Sequence, residues 1–246
     1  VNPCLLIPIY NHPHTIAEVV SGLESLSLPC LIVDDGSDRA TRAVLADLEA
    51  KHEWVRVLRR DVNGGRGAAL RTGYRYALEL GHSHAIQLDA DGQHAAAEVP
   101  GVIESARRTP EALVLGAPHF DESAPASRRY GRLISKLWVW IETCSGEIHD
   151  PLCGLRAIPL EATIRLLDRV ACGDRMDFDP EIAVRLVWAG TPVVNVPVAV
   201  RYFEHGVSHF DLWRDNLRIS WLHTRLFAGM LPRSPGLVAR RFRSAR

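Results

Sequence analysis

Asp89, Asp91 and Gln93 occupy alternate positions immediately after the apolar run Ala85-Ile86-Gln87-Leu88. In extended backbone, residues two apart point the same way, so two carboxylates and an amide oxygen converge. Such hard oxygen ligands suit Mg²⁺ or Mn²⁺, ions that also bind substrate phosphates. A polar turn closing a strand has the same composition, and the triplet alone does not separate the two uses.

Three further clusters carry chemistry. In Ile32-Val33-Asp34-Asp35-Gly36-Ser37-Asp38, a carboxylate can accept from a base N–H or a ribose hydroxyl. Ser37 or Asp38 can equally cap the helix that follows, and the two uses are compatible if Asp35 faces ligand. Asn63-Gly64-Gly65-Arg66-Gly67 runs into a helix, where glycines let backbone amides approach a phosphate and Arg66 adds a fork. The Lys-Ser/Thr pair of a Walker loop is absent, and a plain turn explains the segment as well. Asp177, Asp179 and Glu181 precede or open a helix. They supply either N-terminal charge, with Pro180 at the first helical position, or a general base for a hydroxyl acceptor.

The elements that must position these residues alternate in type. Apolar runs at Cys4 to Ile9, Cys30 to Val33, Trp54 to Leu58, His84 to Leu88 and Ala112 to Leu115 read as strands. Helical patterns at Thr15 to Leu26, Thr41 to Lys51, Ala68 to Leu80 and Glu98 to Arg107 separate them. This alternation predicts an α/β fold with right-handed crossovers and a mostly parallel sheet, whose ligands sit beyond the carboxyl ends of the strands. The second half is less regular. Helices are expected over Arg128 to Glu142 and Phe210 to Met230, with two more between them. A loop is expected at Asp150 to Arg156, strands around Val193 to Val196 and Val198 to Tyr202, and a loose basic tail from Pro232.

With 47% hydrophobic residues in 246, the chain can bury one large core. Equal numbers of basic and acidic residues, 29 each, give no signal for a nucleic-acid partner. Five scattered cysteines without a CxxC pair read as reduced thiols of a cytoplasmic chain. No signal-peptide pattern or apolar run of roughly 20 residues is present.

Taken together, the ordered segments resemble glycosyltransferase family 2, most closely its polyprenyl-phosphate branch of the dolichyl-phosphate mannose synthase type. They are Pro8-Ile9-Tyr10-Asn11, Val33 to Ser37, Asn63 to Gly67 with Gly73, Leu88 to Gln93, and Asp150-Pro151-Leu152-Cys153-Gly154-Leu155-Arg156. The resemblance implies a Rossmann-like GT-A fold in one domain over 1–231, a nucleotide-sugar and metal half at 1–118, and an acceptor half at 119–231. It implies an inverting transfer from a UDP- or GDP-sugar with Mg²⁺ or Mn²⁺. Asp35 with Pro8, Tyr10 and Asn11 would line the nucleotide pocket, and Gly64, Arg66 and Gly67 would stand near its phosphates. Asp91, Gln93 and Asp89 would hold metal, with Asp89 also on the donor. Asp150 and Arg156 would face the acceptor and the transferred sugar. His12 stands where the branch carries an acidic residue, and His209 where it usually has Lys, leaving Arg201 or His205 in uncertain register.

The expected acceptor is a polyprenyl phosphate contacted by Arg128, Arg129, Arg132 and Arg201. On helical wheels, Arg128, Arg129, Arg132 and Lys136 share one side, and Arg214, Arg218 and Arg225 form a second stripe. Trp213, Leu217 and Trp221 flank that stripe, with Ile219, Leu222 and Leu226 beyond it. One apolar face must pack on the core. Two such faces beside arginines, with Arg240, Arg241, Arg243 and Arg246, suit contact with anionic headgroups at the inner membrane surface. The alternatives are transfer to a hydroxyl of a glycolipid or polysaccharide using Asp179 or Glu181 as base, a nucleotidyltransferase, and a nucleotide-sugar-binding module without activity.

Overall fold

The computed structural model describes residues 1–119, 126–200 and 212–244, and side chains within these except at 126–130, 212–213 and 242–244. Strands β1 (Pro3–Ile9), β2 (Cys30–Asp35), β3 (Val55–Arg60), β4 (His84–Gln87), β5 (Leu113–His119), β6 (Arg156–Pro159) and β7 (Val193–Ala199) form one sheet. Its order is β3-β2-β1-β4-β6-β5-β7. β6 runs antiparallel to both β4 and β5, while the remaining pairs are parallel. β6 is an unexpected strand that begins at Arg156, the last residue of the expected loop; β7 takes in the first expected strand and the start of the second, Val198 to Tyr202, which ends outside the described residues.

The first strands show why the sheet is buried on both faces. Cys4 and Leu6 pack on one side with Leu31 and Val33, whereas Leu5, Ile7 and Ile9 pack on the other with Cys30 and Ile32. Alternate side chains point to opposite faces, so continuous apolar runs require helices above and below. On one face lie α1 (Ile16–Leu23), α2 (Arg39–Lys51) and α4 (Val99–Arg108). On the other lie α3 (Arg66–Glu79), α6 (Leu160–Leu167) and α7 (Phe178–Ala189), with α5 (Ala126–Thr143) and α8 (Leu212–Met230) packed beyond them.

Asp38 caps α2, its carboxylate accepting from the Thr41 N–H at 2.8 Å. This frees Asp35 for another use. In α7 Pro180 is the third helical residue, not the first, because the helix opens at Phe178; a first-turn N–H has no intrahelical partner, so proline is tolerated there. The residues read as a loose tail form α9 (Ser234–Ser244) instead. Leu237 is buried, and the Arg240 guanidinium donates to the Val187 and Trp188 carbonyls at the end of α7. A cation there meets the carbonyls of the last helical turn, the negative end of the helix, which favours docking.

Candidate active site

The carboxyl ends of β1, β2 and β4 open into a cleft of about 1050 Å³ that continues between α5 and α8. Pro8, Tyr10, Asp35, Arg66, Asp89, Asp91 and Asp179 line it, as do His12, Asn63 and Arg175. Gln93, Asn11, Asp150, Arg156 and Glu181 lie outside that lining.

Arg66, the first residue of α3, organises the floor. Its Nη2 stands 2.6 Å from Asp89 Oδ1 and its Nε 2.6 Å from Asp179 Oδ2. Burial opposes the guanidinium's charge, but Asp179 and Asp89 outweigh it and hold its pKa above the ordinary value. Asp179 also accepts from Gln87 Nε2 at 3.2 Å, and Tyr74 donates its hydroxyl to the Gln87 side-chain oxygen. Burial works against a charged Asp179 as well; Arg66 and Arg156 overcome it and depress its pKa. A carboxylate so held is a weak proton acceptor.

Glycines make this packing possible. A Cβ on Gly67 would lie 2.6 Å from the Gly173 carbonyl oxygen and 2.6 Å from Phe178 Cβ, so only glycine lets α3 approach α7 here. A Cβ on Gly154 would overlap the Asp89 carboxylate. The loop holding Gly154 therefore presses directly against the proposed metal and donor residue.

The Gly-rich segment does not offer its amides to the cleft. The N–H groups of Gly64 and Gly65 donate to Asp35 at 3.0 and 2.7 Å, and Arg60 pairs with the same carboxylate at 3.0 Å. Asp35 thus stands on the wall of the cleft and clasps the loop at once. Asn11 is likewise engaged within the protein: its side-chain oxygen accepts from the Asp38 N–H at 2.8 Å.

Two residues expected on the acceptor side, Arg156 and Glu181, are buried. Arg156 is fully enclosed. It donates to the carbonyls of Cys153 and Pro151 and lies 3.4 Å from Asp179 Oδ1, tying loop 150–156 to α7 instead of facing an acceptor. Glu181 is fully enclosed too, pairing with Arg185 at 2.7 Å and Arg225 at 3.4 Å and accepting from the Gly173 N–H. Its carboxylate is engaged inside the protein on both oxygens. Asp150 pairs with Arg132 at 2.5 Å and accepts from the Leu152 N–H, a brace between α5 and the same loop. The side chains of Arg128 and Arg129, and the whole of Arg201, His205 and His209, lie outside the described residues.

Among the described residues, no three His, Cys, Asp or Glu side chains gather as a closed metal cage. The expected donors stand close together: Asp89 and Asp91 in the cleft with Gln93 beside them, its backbone N–H donating to Asp91 Oδ1 at 3.0 Å. This fits an Mg²⁺-type ion, which takes one or two carboxylates and completes its shell with substrate phosphates. Sequence reasoning missed Arg175, Ser135, Trp138 and His223, which the fold brings to the cleft. Trp138 and His223 read as ordinary members of amphipathic helices, and only the packing of α5 on α8 turns them inward.

The profile of glycosyl transferase family 2 matches residues 4–172, well over half the chain, and the protein belongs to that family. It is 27% identical over 244 residues to the polyprenol monophosphomannose synthase of Mycolicibacterium smegmatis, covering 95% of this chain and 90% of that one. It is 26% identical over 221 residues to the UDP-N-acetylglucosamine--dolichyl-phosphate N-acetylglucosaminyltransferase of Methanococcus voltae, covering 83% and 87%. Its fold superposes on the mannosyltransferase PcManGT of Pyrobaculum calidifontis, solved with GDP-Man and Mn²⁺, with a TM-score of 0.64. That match has 16% identity and covers 97% of this chain and 68% of the other. The fold is GT-A.

Proposed function

We propose that this chain transfers a sugar from a UDP- or GDP-sugar to a polyprenyl phosphate at a membrane surface, inverting the anomeric carbon. The observation that carries the reading is that neither carboxylate expected as a base, Asp179 or Glu181, is free to act as one. Asp179 is locked by Arg66 and Arg156, and Glu181 is sealed under Arg185 and Arg225. A hydroxyl acceptor must surrender a proton to a positioned group. A phosphate oxygen is already anionic, attacks the anomeric carbon directly, and needs none. The two curated relatives named above support the same acceptor class by their names.

In this reading Asp35, Pro8 and Tyr10 hold the nucleoside, and Arg66 stands near the diphosphate. A divalent cation, Mg²⁺ or Mn²⁺, held by Asp89, Asp91 and Gln93 would neutralise charge on the departing diphosphate. Contact with the membrane is peripheral in this reading; no helix among the described residues is long and apolar enough to cross one. Exposed Leu133, Ile134 and Leu137 of α5 and Leu217 and Trp221 of α8 supply the apolar surface.

A second reading, transfer to a hydroxyl-bearing glycolipid, draws on one observation: Asp179 does line the cleft. Purified enzyme given radiolabelled nucleotide sugar with either undecaprenyl phosphate or the glycolipid separates the two. Product on the phosphate is expected. Product only on the hydroxyl, abolished in Asp179→Asn, would establish the second reading instead.

A further inference from the structure

Where α5 packs on α8, Glu142 and His223 form a buried pair with Oε1 and Nδ1 2.8 Å apart. Glu142 is fully enclosed and His223 is 4% exposed. The indole of Trp138 stacks on the imidazole at 5.9 Å between ring centroids. This could be a simple brace between two helices, but two facts argue for more. His223 lines the same cleft as Asp89 and Asp91. Its Nε2, on the ring edge opposite Glu142, is buried with no hydrogen-bond partner, and a pure brace would not leave that edge unmatched.

We propose that His223, oriented by Glu142, binds the phosphate of the acceptor through its Nε2–H. The inference rests on the lipid-phosphate reading above and assigns that phosphate a place in the cleft. Its surroundings fit an anion. Ser135 of α5 and Arg214 and Arg218 of α8 line the same cleft, with Asp215 paired to Arg218 at 3.1 Å.

The protons held by the pair decide which tautomer faces the cleft. Burial pushes the Glu142 carboxyl up, against the opposing pull of His223. With the carboxyl protonated and donating to Nδ1, the neutral imidazole carries its hydrogen on Nε2. With the proton transferred to Nδ1, the imidazolium still carries Nε2–H. Both of these forms present a donor to the cleft, as a phosphate oxygen requires; a carboxylate accepting from Nδ1–H of a neutral ring would not, and the pair is assigned the two forms that do.

The test is equilibrium binding of farnesyl monophosphate, with farnesol as the uncharged control. Wild type is expected to prefer the phosphate. His223→Leu and the ring-filling His223→Phe should bind it about tenfold more weakly or worse, the loss expected for one charge-assisted hydrogen bond. His223→Gln, whose amide N–H can replace Nε2–H, should stay close to wild type, and nucleoside diphosphate affinity should be unchanged in all three. In case the variants do not fold, nitrogen NMR of the wild type gives an independent readout. The Nε2 resonance of His223 should move on adding farnesyl phosphate and not on adding farnesol. Preference for the phosphate without loss in His223→Leu or His223→Phe, or with a static Nε2 resonance, overturns the assignment while leaving the acceptor class intact. Equal affinity of wild type for farnesol and farnesyl phosphate overturns both.

Discussion

Arg66 and Asp179, 113 residues apart in the chain, meet with Nε 2.6 Å from Oδ2 on the floor of the cleft. The contact joins α3 to α7 and places Asp89 on the other arm of the same guanidinium. It makes Asp179 a structural counter-ion before it is anything else.

That role has a pH signature. The folded pKa of Asp179 is depressed, so its pairing stabilises the fold fully above the ordinary carboxylate value of about 3.9 and is lost as pH falls through the depressed value. Asp179→Asn removes a buried charge and leaves Arg66 and Arg156 short of a partner, a change worth about 3–5 kcal/mol. Thermal denaturation from pH 7 to 3 should show wild type ahead by a steady gap that narrows only below about pH 4. A gap already closing between pH 7 and 5 would assign the effect to another group.

The pieces that sequence made legible are those with local causes. β1 and β2 are unbroken apolar runs ending in polar turns, and their two-sided burial follows from that pattern. Asp35, Asp89 and Asp91 reach the cleft because they stand at strand ends in a parallel sheet. β6 escaped notice because it is short and opens on Arg156, a charge that is buried only because loop 150–156 folds its carbonyls around it. Arg66–Asp179 and Glu142–His223 carry no local signal, since each needs two helices distant in sequence to pack. The contact of Gly154 with Asp89 was visible as a motif but not as a cause.

That contact gives the second prediction. An alanine at Gly154 would occupy the space of the Asp89 carboxylate, forcing it off Arg66 or moving the loop. Misplacing one reacting group by about 1 Å costs on the order of 100-fold. Gly154→Ala should therefore lower turnover by roughly that factor while the protein still folds, as circular dichroism would report. Turnover within twofold of wild type would mean that Asp89 takes no part in the chemistry.

The third concerns the metal. If Asp91 ligates, Asp91→Asn should weaken Mn²⁺ binding in the presence of nucleoside diphosphate, read directly by paramagnetic resonance. Turnover should fall by on the order of 100-fold, the scale of losing one preorganised electrostatic contact to developing charge. Unaltered Mn²⁺ affinity in the variant would remove Asp91 from the ligand set.

The last prediction is membrane docking. Leu217 and Trp221 are 66% and 63% exposed on α8, one turn apart, and Leu133, Ile134 and Leu137 form a comparable face on α5. Leu222 and Leu226, on the other side of α8, are buried. The helix therefore has two apolar faces, and only one meets the protein core. The arginine stripe turns away from that surface: Arg214 and Arg218 line the cleft, with Arg218 paired to Asp215. Arg225 turns inward to Glu181, whereas Lys136 lies over the exposed Trp140 ring at 4.8 Å and Arg233 stands near the surface beyond α8. Long cationic side chains beside exposed apolar ones suit an anionic bilayer, where each adds about 1 kcal/mol by attraction and the apolar groups bury below the headgroups. Flotation with vesicles containing anionic lipid should carry the protein upward, less so at high salt because surface attraction is screened. Leu217→Ser with Trp221→Ser should reduce the floated fraction severalfold without altering thermal stability, because both side chains are already in solvent. Equal flotation of wild type and the double variant, or no flotation of either, would place the membrane contact elsewhere or remove it.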